Sequence, residues 1–376
     1  MSAFLIASAV GNAGRASAME EFHPGAIWPD QNGAPINAHG GAILVYQGAY
    51  YWFGEHKIGG PAGNSAQVGV HVYSSTDLYH WLDQGIALAV SLDPANELAQ
   101  GCILERPKVL YCQKTGKFVM WFHLEPKGHG YAAARSGIAV ADAPAGPYHF
   151  IRSLRPNAGV WPMNVPDNLK KPLSGEDLAS LRGKALPGGP VPDFPTNSIF
   201  RRDFAGGQMA RDMTLFQDED GAAYHVYASE ENGTLHLSQL TEDLLSPAGK
   251  YVRLFPGGFN EAPALFKHRG RYFLITSGCT GWMPNGARLA VADSIWGPWS
   301  QTGNPCVGEG AEKTFEGQPT YVLPVPTQPD ALIFMADRWR PENAIDGRYI
   351  WLPVQFKNGQ PVISWLDHWG LGIFGK

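Results

Sequence analysis

The sequence predicts an all-β, single-domain chain folded as a five-bladed β-propeller. Three observations predict it. An aromatic-rich hairpin pattern occurs five times, a further strand pair follows each hairpin, and no helix-period stretch is long enough to compete. Radial closure also absorbs a 376-residue chain into one domain and leaves few exposed strand edges.

Each unit begins with a polar residue at the head of its hairpin. His39 leads the first, which turns at Gln47-Gly48, and Glu105 leads the second, which turns at Lys114-Thr115-Gly116. Asp212 leads the third, Glu261 the fourth and Gln318 the fifth, with turns at Glu219-Asp220-Gly221, His268-Arg269-Gly270 and Thr327-Gln328-Pro329-Asp330. Outer strand pairs are expected at 71–85, 137–150, 235–254 and 288–303, and the last unit, 347–367, turns at Lys357-Asn358-Gly359.

Two segments break the pattern. Residues 1–18 hold a short apolar run, Phe4 to Val10, and a small-residue triplet, Ala16-Ser17-Ala18. The stretch reads as signal-like or disordered, so the expectation is a secreted or periplasmic protein whose propeller spans 19–376. Some 60 residues separate Phe150 from Asp212 where a bladed fold needs about ten. This insertion, at about 151–210, has eight prolines between Pro156 and Pro195 and a short helix with a capping-box-like start at Ser174-Gly175-Glu176-Asp177-Leu178. Its aromatic residues Trp161, Phe194, Phe200 and Phe204 predict an ordered flap over the site.

Composition narrows the function. A net charge of -5 without a basic run argues against nucleic-acid and anionic-membrane partners. Beyond the N-terminal stretch, nothing approaches the ~20 apolar residues of a membrane helix. The four cysteines lack metal-ligand spacing and are expected as free buried thiols. No nucleotide, flavin or haem motif occurs, so no cofactor and no catalytic metal are expected. A monomer is expected.

What remains is the ring of unit-leading residues. Three are carboxylates, and convergence of acids at one point is the chemistry of sugar hydrolysis. Glu261 enters an apolar strand, so partial desolvation should keep it protonated as a general acid. Asp212 is placed to orient or tune it. Glu105, followed by Arg106-Pro107-Lys108, should stay ionised and grip sugar hydroxyls. Trp282, then Trp339, are the first choices for an aromatic platform under a sugar ring.

With these motifs in hand the chain resembles glycoside hydrolase family 43, the five-bladed propeller glycosidases. It is closest to the branch of exo-β-1,3-galactanases and related galactofuranosidase- or arabinofuranosidase-type enzymes. The carriers are Asn37-Ala38-His39-Gly40-Gly41, Glu105-Arg106-Pro107-Lys108, Arg211-Asp212-Met213, Glu261-Ala262-Pro263-Ala264, Ser277-Gly278-Cys279-Thr280-Gly281-Trp282 and Gln318-Pro319-Thr320-Tyr321. The resemblance implies an inverting enzyme with Glu261 as acid and Asp212 as the residue tuning it. The N-terminal Asp base of the wider family is absent. The galactanase branch lacks it too, and there a fifth-blade Gln, matched by Gln318, is proposed to hold the attacking water, with its imidic-acid tautomer invoked for the role. His39 is the alternative water-holding group. Glu105, Tyr131 and Thr280 match sugar-contacting positions, and a structural calcium ion occurs in some relatives. The implied activity is exo-hydrolysis of β-1,3-linked galactan, with a furanosidase or a silent sugar-binding propeller as alternatives.

Overall fold

The computed structural model describes residues 20–182, 190 and 193–375, so the signal-like stretch 1–18 lies outside the described residues. Its sheets are five small antiparallel blades arranged around one axis. Blade one is β1 (His39–Tyr46), β2 (Ala49–His56), β3 (Gly69–Ser75) and β4 (Leu82–Ala89). Blade two is β5 (Ile103–Cys112), β6 (Lys117–Glu125), β7 (Arg135–Ala141) and β8 (His149–Leu154). Blade three is β9 (Met213–Gln217), β10 (Ala223–Ser229), β11 (Thr234–Leu240) and β12 (Pro247–Leu254), and blade four is β13 (Asn260–His268), β14 (Arg271–Gly278), β15 (Arg288–Ala292) and β16 (Ser300–Gly303). The short β17 (Cys306–Val307) runs parallel to the outer edge of blade five, which comprises β18 (Gln318–Pro324), β19 (Leu332–Arg338), β20 (Arg348–Lys357) and β21 (Gln360–Ser364).

The first strand of every blade is innermost. β1 meets β5, β5 meets β9, β9 meets β13, β13 meets β18, and β18 returns to β1. Burial follows the radius: β1 is buried over six of eight residues, whereas β16 is exposed throughout. Three hairpins turn in two residues with both in the left-handed region, at Gln47-Gly48, Arg269-Gly270 and Asn358-Gly359.

Five buried clusters, one at each blade–blade interface, hold the ring together among the described residues. The interface between blades one and five is an edge-on tryptophan cluster, with Trp52, Trp81 and Trp351 fully buried. The ends of the described chain close over it. Phe22 pairs with Trp369 in an isolated bridge, their rings 4.4 Å apart.

The insertion is ordered where it is described. It carries α1 (Gly175–Arg182) and α2 (Ile199–Arg202). The α1 start is the expected reciprocal cap, with the Asp177 N–H donating to Ser174 Oγ and the Ser174 N–H to Asp177 Oδ2, each at 3.2 Å. Trp161 stacks on Phe204 at 3.9 Å, Phe194 meets Phe259 edge-on at 4.9 Å, and Phe200 is buried beneath the Arg253 guanidinium. All four cysteines are free and buried, as expected.

Near the axis the strands approach too closely for side chains everywhere. A Cβ on Gly54 would stand 2.0 Å from the carbonyl carbon of Ala38, the residue just ahead of β1. Gly54→Ala is therefore expected to cost at least about 1–3 kcal/mol, read as a lower urea midpoint. An unchanged midpoint would contradict this packing.

Candidate active site

The inner strands are bulged where the unit-leading residues stand. Ladder register shifts between His39 and Ala42, between Glu105 and Lys108, between Glu261 and Ala264, and between Pro319 and Tyr321. In three of these a residue takes positive φ: Gly40, Arg106 and Ala262. Left-handed backbone costs a non-glycine residue about 1–2 kcal/mol, and a bulge re-aims the neighbouring side chain. Three of the four bulges stand beside side chains that line the mouth of the ring: Glu105, Glu261 and Gln318.

The mouth opens into a cavity of about 720 Å³. Glu261, Asp212, Gln318, Glu105, Tyr131 and Trp282 all line it, so six of the eight sequence-predicted residues converge. Burial, then the neighbouring Asp212 charge, pushes the Glu261 carboxyl up to about 8. Asn232 Nδ2 donates to Glu261 Oε1 at 3.0 Å. Asp212 Oδ2 accepts from Arg106 Nη2 at 3.0 Å and from the Ala262 N–H at 3.1 Å. Asp212 thus faces a cation while Glu261 faces an anion. Burial and the Asp212 charge together favour the protonated form of Glu261.

Gln318 is fixed by its partners. Its Oε1 accepts from Arg106 Nη2 at 2.6 Å and from Trp339 Nε1 at 2.8 Å, while Nε2 donates to Ser277 Oγ at 3.0 Å. Both neighbours of Oε1 are obligate donors, so the amide has one possible orientation. Both carbonyl lone pairs are taken. What Gln318 has left to offer the cavity is an N–H.

Glu105 is ionised as expected, but for a different reason. Burial alone would raise it. The His123 imidazolium at 3.0 Å, with Lys57 and the Tyr131 hydroxyl adding, brings it down to about 2. Tyr131 donates to its other oxygen at 2.8 Å. The cations adjacent in sequence are engaged elsewhere, Arg106 as above and Lys108 with the Gly40 carbonyl in the axial channel. His123 also contacts Glu125 at 3.0 Å, and the two carboxylates lift it to about 9 against the opposing effect of burial. Glu105, His123 and Asp212 lie close enough to embrace a cation. However, both His123 nitrogens are committed to carboxylates and Arg106 already neutralises Asp212, so the cluster does not fit a calcium or other metal ion.

The other two predicted residues do not line the cavity. His39 is fully buried against Tyr349, and burial followed by the Lys57 charge drops it to about 3, so it is a neutral imidazole away from the mouth. Thr280 points into its own loop, donating to the Met283 carbonyl and accepting from Asn285 Nδ2. It shapes the turn that presents Trp282, which is 41% exposed and meets Trp339 edge-on at 5.8 Å.

Sequence reasoning missed Glu55, Lys57 and Asn232, and it read Arg106 only as a charge. Glu55 lies opposite His39 across the first hairpin and was traceable from the register about Gln47-Gly48. Asn232 belongs to a left-handed run, Glu230-Glu231-Asn232, which in sequence looks like an ordinary connector before Gly233. The insertion supplies Arg155, Arg202, Asp203 and Met209 to the cavity wall, so it does border the site.

The chain is similar to known proteins along most of its length. The model describing glycosyl hydrolases family 43 matches residues 196–344. A solved family 43 β-1,3-galactosidase, bound to galactodeoxynojirimycin, is 52% identical with a TM-score of 0.87, covering 93% of this chain and 100% of that one. An exo-β-1,3-galactanase from Phanerochaete chrysosporium, solved with β-1,3-galactotriose, is 31% identical with a TM-score of 0.74, covering 94% and 68%. A β-D-galactofuranosidase from Aspergillus niger is 31% identical over 156 residues, which span 38% of this chain and 44% of that protein.

The His123 pairing predicts a pH signature. Its folded value stands above the free histidine value, so its stabilisation is complete below about pH 6.5 and lost as pH rises through about 9. Urea midpoints should fall over that window, and His123→Gln should flatten the fall. A wild-type midpoint constant from pH 6.5 to 9.5 would contradict the buried imidazolium.

Proposed function

The chain belongs to glycosyl hydrolase family 43, and from that premise we propose that it is an inverting, exo-acting enzyme releasing galactose from β-1,3-linked galactan. A glycoside hydrolase needs a proton donor at its working pH. The observation that carries the reading is Glu261 at about 8, lifted by burial and Asp212 within a cavity that Trp282 and Trp339 flank. Glu261 protonates the glycosidic oxygen as the C1–O bond breaks, and water attacks C1 from the opposite face. Gln318 holds that water through its remaining N–H. With Oε1 occupied, Gln318 positions the nucleophile and does not take its proton, which passes to bulk water as the new C1–O bond forms. An oxocarbenium-like transition state asks little more of the nucleophile. Glu105, fixed as an anion by His123, grips sugar hydroxyls beside Tyr131. Membership of a hydrolase family sets aside the silent sugar-binding alternative.

The similarity that covers nearly all of this chain is to enzymes named for β-1,3-galactose linkages. The partial match to a galactofuranosidase supports a second reading, the same machinery on a furanoside. Product analysis on β-1,3-galactan, followed by proton NMR, separates them. Early α-galactose is the expected result. No galactose, with turnover of a nitrophenyl galactofuranoside, would replace the first reading by the second.

Two further outcomes are expected. Glu261→Gln should lower kcat on galactan roughly 10²–10⁴-fold while leaving binding nearly intact, and near-wild-type rates would remove Glu261 as the acid. Because the acid works protonated, kcat should be retained below pH 8 and fall as pH rises through about 8. A profile flat to pH 10 would contradict the assignment.

A further inference from the structure

A neutral carboxylic acid has two unlike oxygens, and only one can deliver the proton. Glu261 Oε1 accepts from Asn232 Nδ2 at 3.0 Å, and Asn232 Oδ1 in turn accepts from Arg211 Nη1 at 3.1 Å. Rotating the Asn232 amide by half a turn would set its NH2 against a guanidinium, so Arg211 permits one orientation only. An N–H aimed at Oε1 is satisfied when Oε1 is the carbonyl oxygen and opposed when Oε1 carries hydrogen. We propose that Asn232 is a positioning residue that confines the proton of Glu261 to Oε2. This deepens the reading of Glu261 as general acid and rests on it.

The surroundings are built to hold Asn232 in place. Glu230, Glu231 and Asn232 take φ of 52°, 56° and 64°, three successive left-handed residues, of which asparagine bears that backbone best. Glu230 anchors the run from below, fully buried, accepting from Arg253 Nε and Nη2 at 2.6 and 2.8 Å and pairing with His236 at 2.8 Å. Glu231 is tied to Arg211 and, through Arg202 of α2, to the insertion. Gly233 seats the Phe194 ring of the insertion, which a Cβ there would strike at 2.2 Å. Strain of this kind, over-determined by its neighbours, is found where geometry matters to function. The other titratable groups near Glu261 are Asp212, Glu105, Arg106 and the Cys279 thiol, which burial pushes up and keeps uncharged, and which hydrogen-bonds the Glu261 carboxyl and accepts from Asn232.

The test uses leaving groups. Asn232→Gly keeps the left-handed backbone and deletes the amide. It should lose roughly 100-fold in kcat on β-1,3-galactobiose, whose leaving hydroxyl needs a proton, and under about threefold on 2,4-dinitrophenyl β-galactoside, whose leaving group does not. KM should change little on either. Asn232→Asp, nearly isosteric, should move the basic limb of the pH–rate profile to higher pH by adding an anion beside the acid. Equal losses on both substrates, or an unmoved limb, would overturn the proposal. Glu261→Gln is run alongside and should show the same split between substrates. A Glu261→Gln variant without that split would sink the acid assignment itself, a result distinct from failure of Asn232 alone.

Discussion

The centre of this molecule depends on a latch between neighbouring blades. Each left-handed bulge turns an N–H out of its ladder, and a carboxylate of an adjacent blade receives it. The Gly40 N–H donates to Asp337, the Arg106 N–H to Glu55 and the Ala262 N–H to Asp212. A bulge without such a partner would leave a buried donor unsatisfied, at a cost of about 1–3 kcal/mol. The latches therefore secure the strained residues at the bulges, and they tie blade five to one, one to two, and three to four. Gly40 shows how tight this is, since a Cβ there would come within 2.3 Å of Glu55 Oε1.

The same latches carry the electrostatics. Asp212 serves three groups at once: it receives a bulge, pairs with Arg106 and raises Glu261 by its charge. Arg106 joins two blades and two roles, because its Nη2 reaches both Asp212 and Gln318. Burial raises both of these chemically similar acids, and their neighbours then separate them. Glu105 next to an imidazolium falls to about 2, and Glu261 next to Asp212 rises to about 8. Neither charge could be so displaced in water. Burial at the mouth of the ring supplies the low-dielectric setting in which a neighbour's charge is felt.

The insertion between blades two and three contributes in an indirect way. Its aromatic residues pack it onto blade three, through Phe194 against Phe259 and Phe200 beneath Arg253. From there α2 places Arg202 against Glu231 and Asp203. The segment therefore borders the cavity and also steadies the Glu230–Asn232 turn, whose backbone would be unfavourable alone.

The sequence by itself determined the blades and most of the ring of residues that line the cavity. Hairpins are local: a period-2 pattern with Gln-Gly or Asn-Gly between its halves specifies pairing within about twenty residues. Five repeats then imply closure, which is why Glu105, Asp212, Glu261 and Gln318 could be placed together from their position in each unit. The tertiary structure alone decided their chemical states and partners. Glu105 is held ionised by His123 across the ladder and not by the adjacent Arg106 and Lys108, whose side chains the bulge sends elsewhere. His39 leads its unit as the others do, yet it ends fully buried behind the mouth, and Glu55 from the facing strand lines the cavity in that blade. Asn232 carries no signal in the chain, because its hydrogen bonds to Arg211 and Glu261 exist only once segments distant in sequence meet. Period and turn chemistry are properties of neighbours in sequence, whereas a proton's location depends on neighbours in space.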